Sequence, residues 1–107
     1  MAKPLFFKKD NVLHRVNSED IYFFQANGDY SLAISVDSRY MPSMGIKDLA
    51  ELLINDGFVQ VHRSYLINVT KIDSIDLITS KINICNHEIP MSKNRKKQLL
   101  AQLRIVK

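Results

Sequence analysis

Residues 58–68 of the chain are Phe-Val-Gln-Val-His-Arg-Ser-Tyr-Leu-Ile-Asn. Apolar and polar residues alternate through Val59-Gln60-Val61-His62, which is the period-two pattern of a β-strand. Arg63 follows where that strand should end, and Ser64 is placed to cap a short turn over residues 65–68. A guanidinium at a strand end can make a two-pronged contact with a guanine edge or a phosphate. This segment therefore indicates a strand that delivers a hydrogen-bonding cation to one end of a sheet.

The neighbours of Arg63 allow two interpretations. His62 can bind a ligand, but a histidine hydrogen-bonded to backbone is the commoner case. Leu66 and Ile67, together with Tyr65, are predicted to lie in the core, and Asn68 is predicted to hydrogen-bond to backbone groups.

A second informative segment, residues 89–97, is Ile-Pro-Met-Ser-Lys-Asn-Arg-Lys-Lys. Ser92 is predicted to cap a final helix, whose apolar stripe is Leu99, Leu100 and Leu103. The cations crowd the first turn, although a helix N-terminus already carries partial positive charge. That arrangement favours an anion bound at the terminus by backbone N–H groups and cationic side chains together. The alternative is that the side chains extend into water at a cost of a few tenths of a kcal/mol each.

Short β-prone runs and turn residues alternate along the rest of the chain. A hairpin turn is expected at Asn27-Gly28-Asp29, where Asn and Gly accept a positive φ. The alternation in residues 30–36 predicts a strand with one buried face. A helix capped by Ser43 is expected to reach about Asn55. The predicted strands are 5–8, 12–16, 21–26, 30–36, 39–42, 58–61, 72–78 and 81–85. The pattern predicts a mostly β fold with two short helices and antiparallel sheets.

Length and composition narrow the class of protein. The 107 residues suffice for one domain, 1–107, and contain no linker or repeat. No apolar run approaches the roughly 20 residues of a membrane span, and the N-terminus lacks a signal peptide's apolar stretch. Cys85 is the single cysteine, which fits a reducing compartment. We therefore expect a cytoplasmic protein with no membrane contact.

Positive charge is concentrated near the C-terminus. Residues 81–107 contain seven basic side chains and one acidic side chain, a net charge of +6. Residues 1–80 contain eight basic and ten acidic side chains, a net charge of −2. A basic tail on a near-neutral body favours an anionic partner, although a solvated helix surface is an alternative explanation.

The sequence offers little for catalysis or cofactor binding. Ser64 lies near His62, but no acidic residue stands in a recognisable orienting relation to them. Cys85 and His87 are the one close pair of metal-ligand types, with the other histidines distant in sequence. With three glycines there is no Gly-rich phosphate loop. We expect no enzyme activity, no metal and no cofactor.

Taken together, these segments resemble the LytTR family of bacterial DNA-binding domains. The resemblance covers roughly residues 5–103, nearly the whole chain. It is carried by Asp20-Ile21-Tyr22-Phe23-Phe24-Gln25-Ala26-Asn27-Gly28-Asp29-Tyr30, by Ile46-Lys47-Asp48-Leu49, by residues 58–68, and by Ile89-Pro90-Met91-Ser92. The departures are mild: Glu is common in the family where Gln25 stands, and Arg or Tyr is common at Lys93 and Asn94.

The resemblance implies an elongated antiparallel β fold and sequence-specific binding of double-stranded DNA for transcription regulation. Loops at one edge enter successive major grooves in this family, whose members are typically response-regulator output domains in two-component signalling. Promoter DNA with repeated half-sites is the implied partner, with a homodimer on DNA as one possibility. The DNA-binding residues implied by position or by charge are Asn27, Asp29, Tyr30, His62, Arg63, Lys93, Asn94, Arg95, Lys96 and Lys97.

One alternative function is a protein-interaction module, or an anti-regulator, that keeps the fold without binding DNA. Three separate cationic points, Arg63, Lys93 and Arg95, argue against it, because a protein-docking surface has no need for them. RNA binding has weaker support, since most of the nine aromatic residues occupy strand positions and are expected in the core rather than on a stacking surface.

Overall fold

Ten strands and two α-helices form the part of the chain that the structure, a computed structural model of residues 4–107, describes. The strands are β1 (Leu5–Lys9), β2 (Val12–Val16), β3 (Ile21–Asn27), β4 (Tyr30–Ser35), β5 (Arg39–Tyr40), β6 (Phe58–His62), β7 (Tyr65–Asn68), β8 (Ser74–Asp76), β9 (Lys81–Ile84) and β10 (His87–Pro90). The helices are α1 (Ile46–Leu52) and α2 (Lys93–Leu100). Single 3-10 turns lie at Ser18–Asp20 and Val69–Lys71.

The strands form three antiparallel sheets. The central sheet has the strand order β5-β4-β3-β7-β6, with a hairpin of β1 and β2 on one side and a small sheet of β8, β9 and β10 on the other. The molecule measures 48 × 31 × 24 Å along its principal axes. The prediction of an elongated, mostly β, antiparallel fold with two helices is confirmed.

Both faces of the central sheet are buried, because successive side chains of a strand point to opposite faces. Phe23 and Phe24 are adjacent in β3 and lie in different cores. Across the ladder Phe23 pairs with Ile67, and Phe24 pairs with Leu66. The first core, against β1, β2 and α1, contains Phe7, Val16, Ile21, Phe24, Ala33, Ile46, Leu49, Leu53, Phe58 and Leu66. The second, against the small sheet and α2, contains Phe23, Ile34, Val61, Ile67, Ile82, Ile84, Ile89, Met91 and Leu99.

Because both faces of the central sheet are buried, the predictions for residues 65–68 and for β4 are wrong. Residues 65–68 form strand β7 rather than a capped turn, and Leu66 and Ile67 are 0 % exposed. A short run of consecutive apolar residues is typical of a strand buried on both faces. In β4 the prediction of one buried face is wrong, since Ala33 is buried in the first core and Ile34 in the second.

Element ends differ from the predictions where the chain turns. Helix α1 has Gly45, not Ser43, as its N-cap residue, and it ends at Leu52 rather than near Asn55. The predicted strand 72–78 is confined to Ser74–Asp76, and a turn follows it. Such boundaries depend on local hydrogen bonds that hydrophobic periodicity does not specify.

Asn68 ties the end of β7 to the rest of the sheet. Its side-chain amide donates to the carbonyl oxygens of Ser18 (3.2 Å) and Ile21 (3.0 Å). Its side-chain oxygen accepts from the backbone N–H and hydroxyl of Thr70. The predicted bonding of Asn68 to backbone is confirmed, and no side-chain nitrogen or oxygen buried within residues 4–107 lacks a partner.

Candidate nucleic-acid interface

Two hairpin turns meet at one end of the central sheet. Strands β3 and β7 are antiparallel neighbours, so the end of β3 lies beside the start of β7, with Gln25 paired to Tyr65. One residue further on, the N–H of Ala26 donates to the carbonyl oxygen of Ser64 at 2.8 Å. The β3–β4 turn and the β6–β7 turn are therefore adjacent, although more than 30 residues separate them in sequence.

The start of α2 joins the same end of the sheet. The N–H of Ser92 donates to the carbonyl oxygen of Val61 at 2.9 Å, and the Ser92 hydroxyl donates to the same oxygen at 3.3 Å. Lys93 thus begins the helix beside the strand that leads to Arg63. We call the surface formed by Asn27–Tyr30, His62–Ser64 and Ser92–Lys97 the loop end. It contains all ten residues that the sequence indicated as DNA contacts.

Arg63 and Ser64 are the two turn residues of the β6–β7 hairpin. The Arg63 side chain is exposed, while His62 is half-buried against the Tyr65 ring, with ring centroids 5.7 Å apart. His62 Nδ1 accepts from the N–H of Ser64 at 3.1 Å, which fixes the ring across the turn. In the neutral ring the proton then lies on Nε2, which can donate outward. His62 has a structural role in this hairpin and retains a second nitrogen for a ligand.

The β3–β4 turn projects polar and aromatic side chains into solvent. Gly28 has φ +63°, the left-handed region that favours glycine, and nothing lies within 4 Å of the position of a Cβ there. Asn27, Asp29 and Tyr30 are all exposed. The exposed Gly28 leaves this part of the turn without a side chain, so a ligand can approach the backbone closely.

The cations of α2 divide between two sides of the helix. Lys93, Asn94 and Lys97 are exposed and lie opposite the buried Leu99, as spacings of three and four residues place them. Lys93 and Lys97 are therefore the cations of this helix that are most available to an external anion.

Arg95 and Lys96 flank Leu99 and are half-buried. Arg95 lines a groove between α2 and β6, together with Gln98 and Gln102. The amine of Lys96 donates to the carbonyl oxygen of Leu77 at 2.8 Å. Lys96 is thus hydrogen-bonded within the protein, whereas Arg95 is half-buried beside the groove.

The first turn of α2 has no side-chain cap, contrary to the prediction for Ser92. Ser92 is the N-cap residue, but its hydroxyl faces Val61. Its carbonyl oxygen accepts the N–H groups of Arg95 and Lys96, each at 3.1 Å. The N–H groups of Lys93 and Asn94 have no acceptor within the helix, as the geometry of a first turn dictates. The terminus is thereby suited to an anion such as phosphate.

Sequence reasoning missed one neighbour of the loop end, the turn Leu77–Ser80 between β8 and β9. The N–H of Met91 donates to the carbonyl oxygen of Ser80 at 3.0 Å, which places the turn beside the start of α2. The sequence had assigned Leu77 and Ile78 to a strand. Asp76 was the available signal, since an aspartate often accepts N–H groups two and three residues later.

The described residues give no sign of a metal site or a membrane helix. Within residues 4–107, no group of three or more His, Cys, Asp or Glu side chains is arranged to hold a metal ion. Neither helix among these residues combines the length and apolar character needed to cross a bilayer.

Comparison with known proteins bears on the family to which the chain belongs and on its fold. The sequence model of the family described as the LytTr DNA-binding domain matches residues 11–104. Two heme-containing CO-sensing transcriptional regulators from Paraburkholderia xenovorans (strain LB400), RcoM 2 and RcoM 1, are each 25 % identical to this chain. The matches cover 96 % and 94 % of this chain but 40 % and 39 % of those proteins. The chain thus spans about two-fifths of the length of the curated relatives it matches.

A solved structure supports the fold. The LytTr DNA-binding domain of a response regulator from Bacillus cereus superimposes with a TM-score of 0.76 at 20 % sequence identity. The superposition covers 92 % of this chain and 98 % of that domain.

Proposed function

Because this chain belongs to the LytTr DNA-binding domain family, we propose that it binds double-stranded DNA sequence-specifically through the loop end, in transcription regulation. The observation that carries this proposal is the convergence of three sequence-distant segments on one end of the sheet. Two backbone hydrogen bonds, Ala26 to Ser64 and Ser92 to Val61, hold these segments together. A rigid scaffold that presents adjacent loops is a common way to position recognition residues.

The loop end carries both side chains that can contact base edges and cations that can contact phosphates. Arg63 is exposed at a hairpin tip, where its planar guanidinium can reach the O6 and N7 acceptors of guanine in a major groove. His62 precedes Arg63 in the hairpin and retains its Nε2 as a hydrogen-bond donor. Lys93 and Lys97, with the uncapped N–H groups of α2, suit phosphates, which position a protein without reading sequence.

The other predicted DNA contacts lie on the same loop end. In our proposal Asn27, Asp29 and Tyr30 enter one major groove, while the β6–β7 turn and Asn94 approach the neighbouring stretch of duplex. Arg95 and Lys96 make a smaller direct contribution, because both are half-buried and the Lys96 amine already donates to the Leu77 carbonyl. Repeated half-sites in a promoter, occupied by a pair of domains, would repeat the same contacts along the duplex.

The role of the whole protein is also a proposal. The two curated relatives are named as transcriptional regulators, and the match covers about two-fifths of each. We infer that this domain is an output module that acts in the cytoplasm, where bacterial DNA is found. A protein-docking surface has no need for separate cationic points, whereas the loop end presents the exposed cations Arg63, Lys93 and Lys97. Selection of bound sequences from a random duplex pool tests the proposed specificity, and failure to enrich any sequence would contradict it.

Two adjacent lysines should respond differently to truncation. Lys97→Ala should weaken selected and random duplexes about equally and reduce the log–log salt slope by roughly 1, as expected for loss of one phosphate contact. Lys96→Ala should change the slope less, because its amine donates to the Leu77 carbonyl. Fluorescence anisotropy at several salt concentrations measures both slopes.

The DNA sequence preference of the Lys96→Ala and Lys97→Ala variants is the control for this experiment. A change in the preferred sequence on Lys97→Ala would show that Lys97 reads bases, which contradicts its assignment to phosphate. A larger slope change for Lys96→Ala than for Lys97→Ala would contradict the division of the helix into an exposed and an engaged side.

A further inference from the structure

The turn Leu77–Ser80 holds two large apolar side chains in solvent. Leu77 is 54 % exposed and Ile78 is 95 % exposed. Turn positions are dominated by Gly, Pro, Asn, Asp and Ser, so two consecutive branched aliphatic residues are unusual there. A single exposed aliphatic residue on a soluble protein needs no explanation.

Four hydrogen bonds fix the turn. Asp76 Oδ1 accepts from the N–H groups of Ile78 (2.9 Å) and Thr79 (3.0 Å). These bonds, with that of Thr79 contributing most, lower the pKa of the Asp76 carboxyl below its ordinary value. The Ser80 carbonyl oxygen accepts from Met91, and the Leu77 carbonyl oxygen accepts from the Lys96 amine. The apolar pair therefore sits on a braced turn.

The turn is continuous with the loop end. Met91, bonded to Ser80, is followed directly by Ser92, which is bonded to Val61 in the strand that leads to Arg63. Lys96 joins the turn to the first turns of α2, where Lys93 and Lys97 are exposed. The turn therefore borders the same N-terminal end of α2 that carries Lys93 and Lys97.

We propose that the Leu77–Ser80 turn is a fourth DNA contact, in which Ile78 packs against the methyl group of a thymine in a major groove. The inference rests on the proposed function of the loop end. The thymine C5-methyl is the apolar group that a major groove presents, and aliphatic side chains pair with it. Phosphates offer nothing to an isoleucine, so the cations around the turn and the apolar tip have separate roles.

The test uses the duplex selected from a random pool, with each thymine in turn replaced by deoxyuridine, which lacks only the methyl group. Ile78→Ser should weaken binding to the selected duplex by about 3- to 10-fold, as expected for loss of a contact made by one or two methyl groups. Deoxyuridine at one position should weaken the unmodified protein by a similar factor. Ile78→Ser should no longer respond to deoxyuridine at that position.

Val106→Ser is the matched control, since Val106 is 97 % exposed and lies beyond the C-terminal end of α2. It should bind every duplex as the unmodified protein does, and melting curves should show all variants folded. If Ile78→Ser keeps full affinity, or keeps the response to every deoxyuridine, the thymine contact is overturned. In that case the proposed function still stands if Lys97→Ala weakens binding. If the unmodified protein binds no duplex, both proposals fail.

Discussion

Raising the salt concentration from about 50 mM to about 200 mM should weaken binding to the selected duplex roughly 250- to 1,000-fold. The loop end offers separate points of contact in Arg63, Lys93 and Lys97, with the uncapped N-terminus of α2 beside them. We expect about 4 to 6 neutralised phosphates, and each releases condensed counterions, giving a log–log slope of about −4 to −5. Anisotropy titrations at four or more salt concentrations measure the slope.

A random duplex of equal length is the control for this experiment. Its slope should be of similar size, since phosphate contacts do not depend on sequence. A slope near zero on both duplexes would remove the electrostatic basis of the account and favour the protein-interaction alternative.

Arg63→Ala should cost about 10- to 100-fold in affinity for the selected duplex and relax selectivity at one or two base pairs. A two-pronged contact between arginine and guanine contributes roughly 1–3 kcal/mol of discrimination, which sets this range. Arg63 occupies an exposed hairpin tip, and truncation of its side chain leaves no buried group unpaired. Binding to random duplex should fall much less. Titration against the selected duplex and its single-base variants measures both effects.

Two further variants sharpen the interpretation of Arg63. Arg63→Lys should restore only part of the affinity, because lysine lacks the planar fork. Arg39→Ala removes another exposed arginine, on the opposite edge strand β5, and should leave binding unchanged. A uniform loss on all duplexes for Arg63→Ala would reassign the residue to phosphate. A large fall in melting temperature would show that its side chain is structural.

Much of the fold could be predicted because the hydrophobic pattern and the turn residues agree. The hairpin turn at Gly28 and the strand before Arg63 were visible in sequence, and the segments that resemble the LytTR family correctly indicated the fold. The residues that fill each of the two cores were harder to predict from the sequence. Pairs such as Phe23-Phe24 and Leu66-Ile67 show no alternation, and strands buried on both faces cannot be distinguished from other buried segments by period alone.

The geometry of the loop end could not be predicted from residue patterns. Its three segments are brought together by backbone hydrogen bonds, such as that from Ser92 to Val61, over a separation of 31 residues. Every residue except proline carries the same backbone N–H and C=O groups, so their long-range pairing leaves no local signal in the sequence. The engagement of Lys96 by the Leu77 carbonyl was hidden for the same reason. Sequence therefore indicated the basic side chains of α2 as a group, and the structure separates the exposed Lys93 and Lys97 from the half-buried Arg95 and Lys96.

The most direct test of the central claim, that the loop end binds the duplex, is a map of backbone amide chemical shifts during titration with the selected DNA. A chain of 12.3 kDa is well suited to this measurement. The account predicts that the largest shifts fall in Asn27–Tyr30, His62–Ser64 and Ser92–Lys97, while Ser18–Asp20, at the opposite end of the central sheet, stays unchanged. Shifts concentrated around Ser18–Asp20, or spread evenly over the surface, would contradict it.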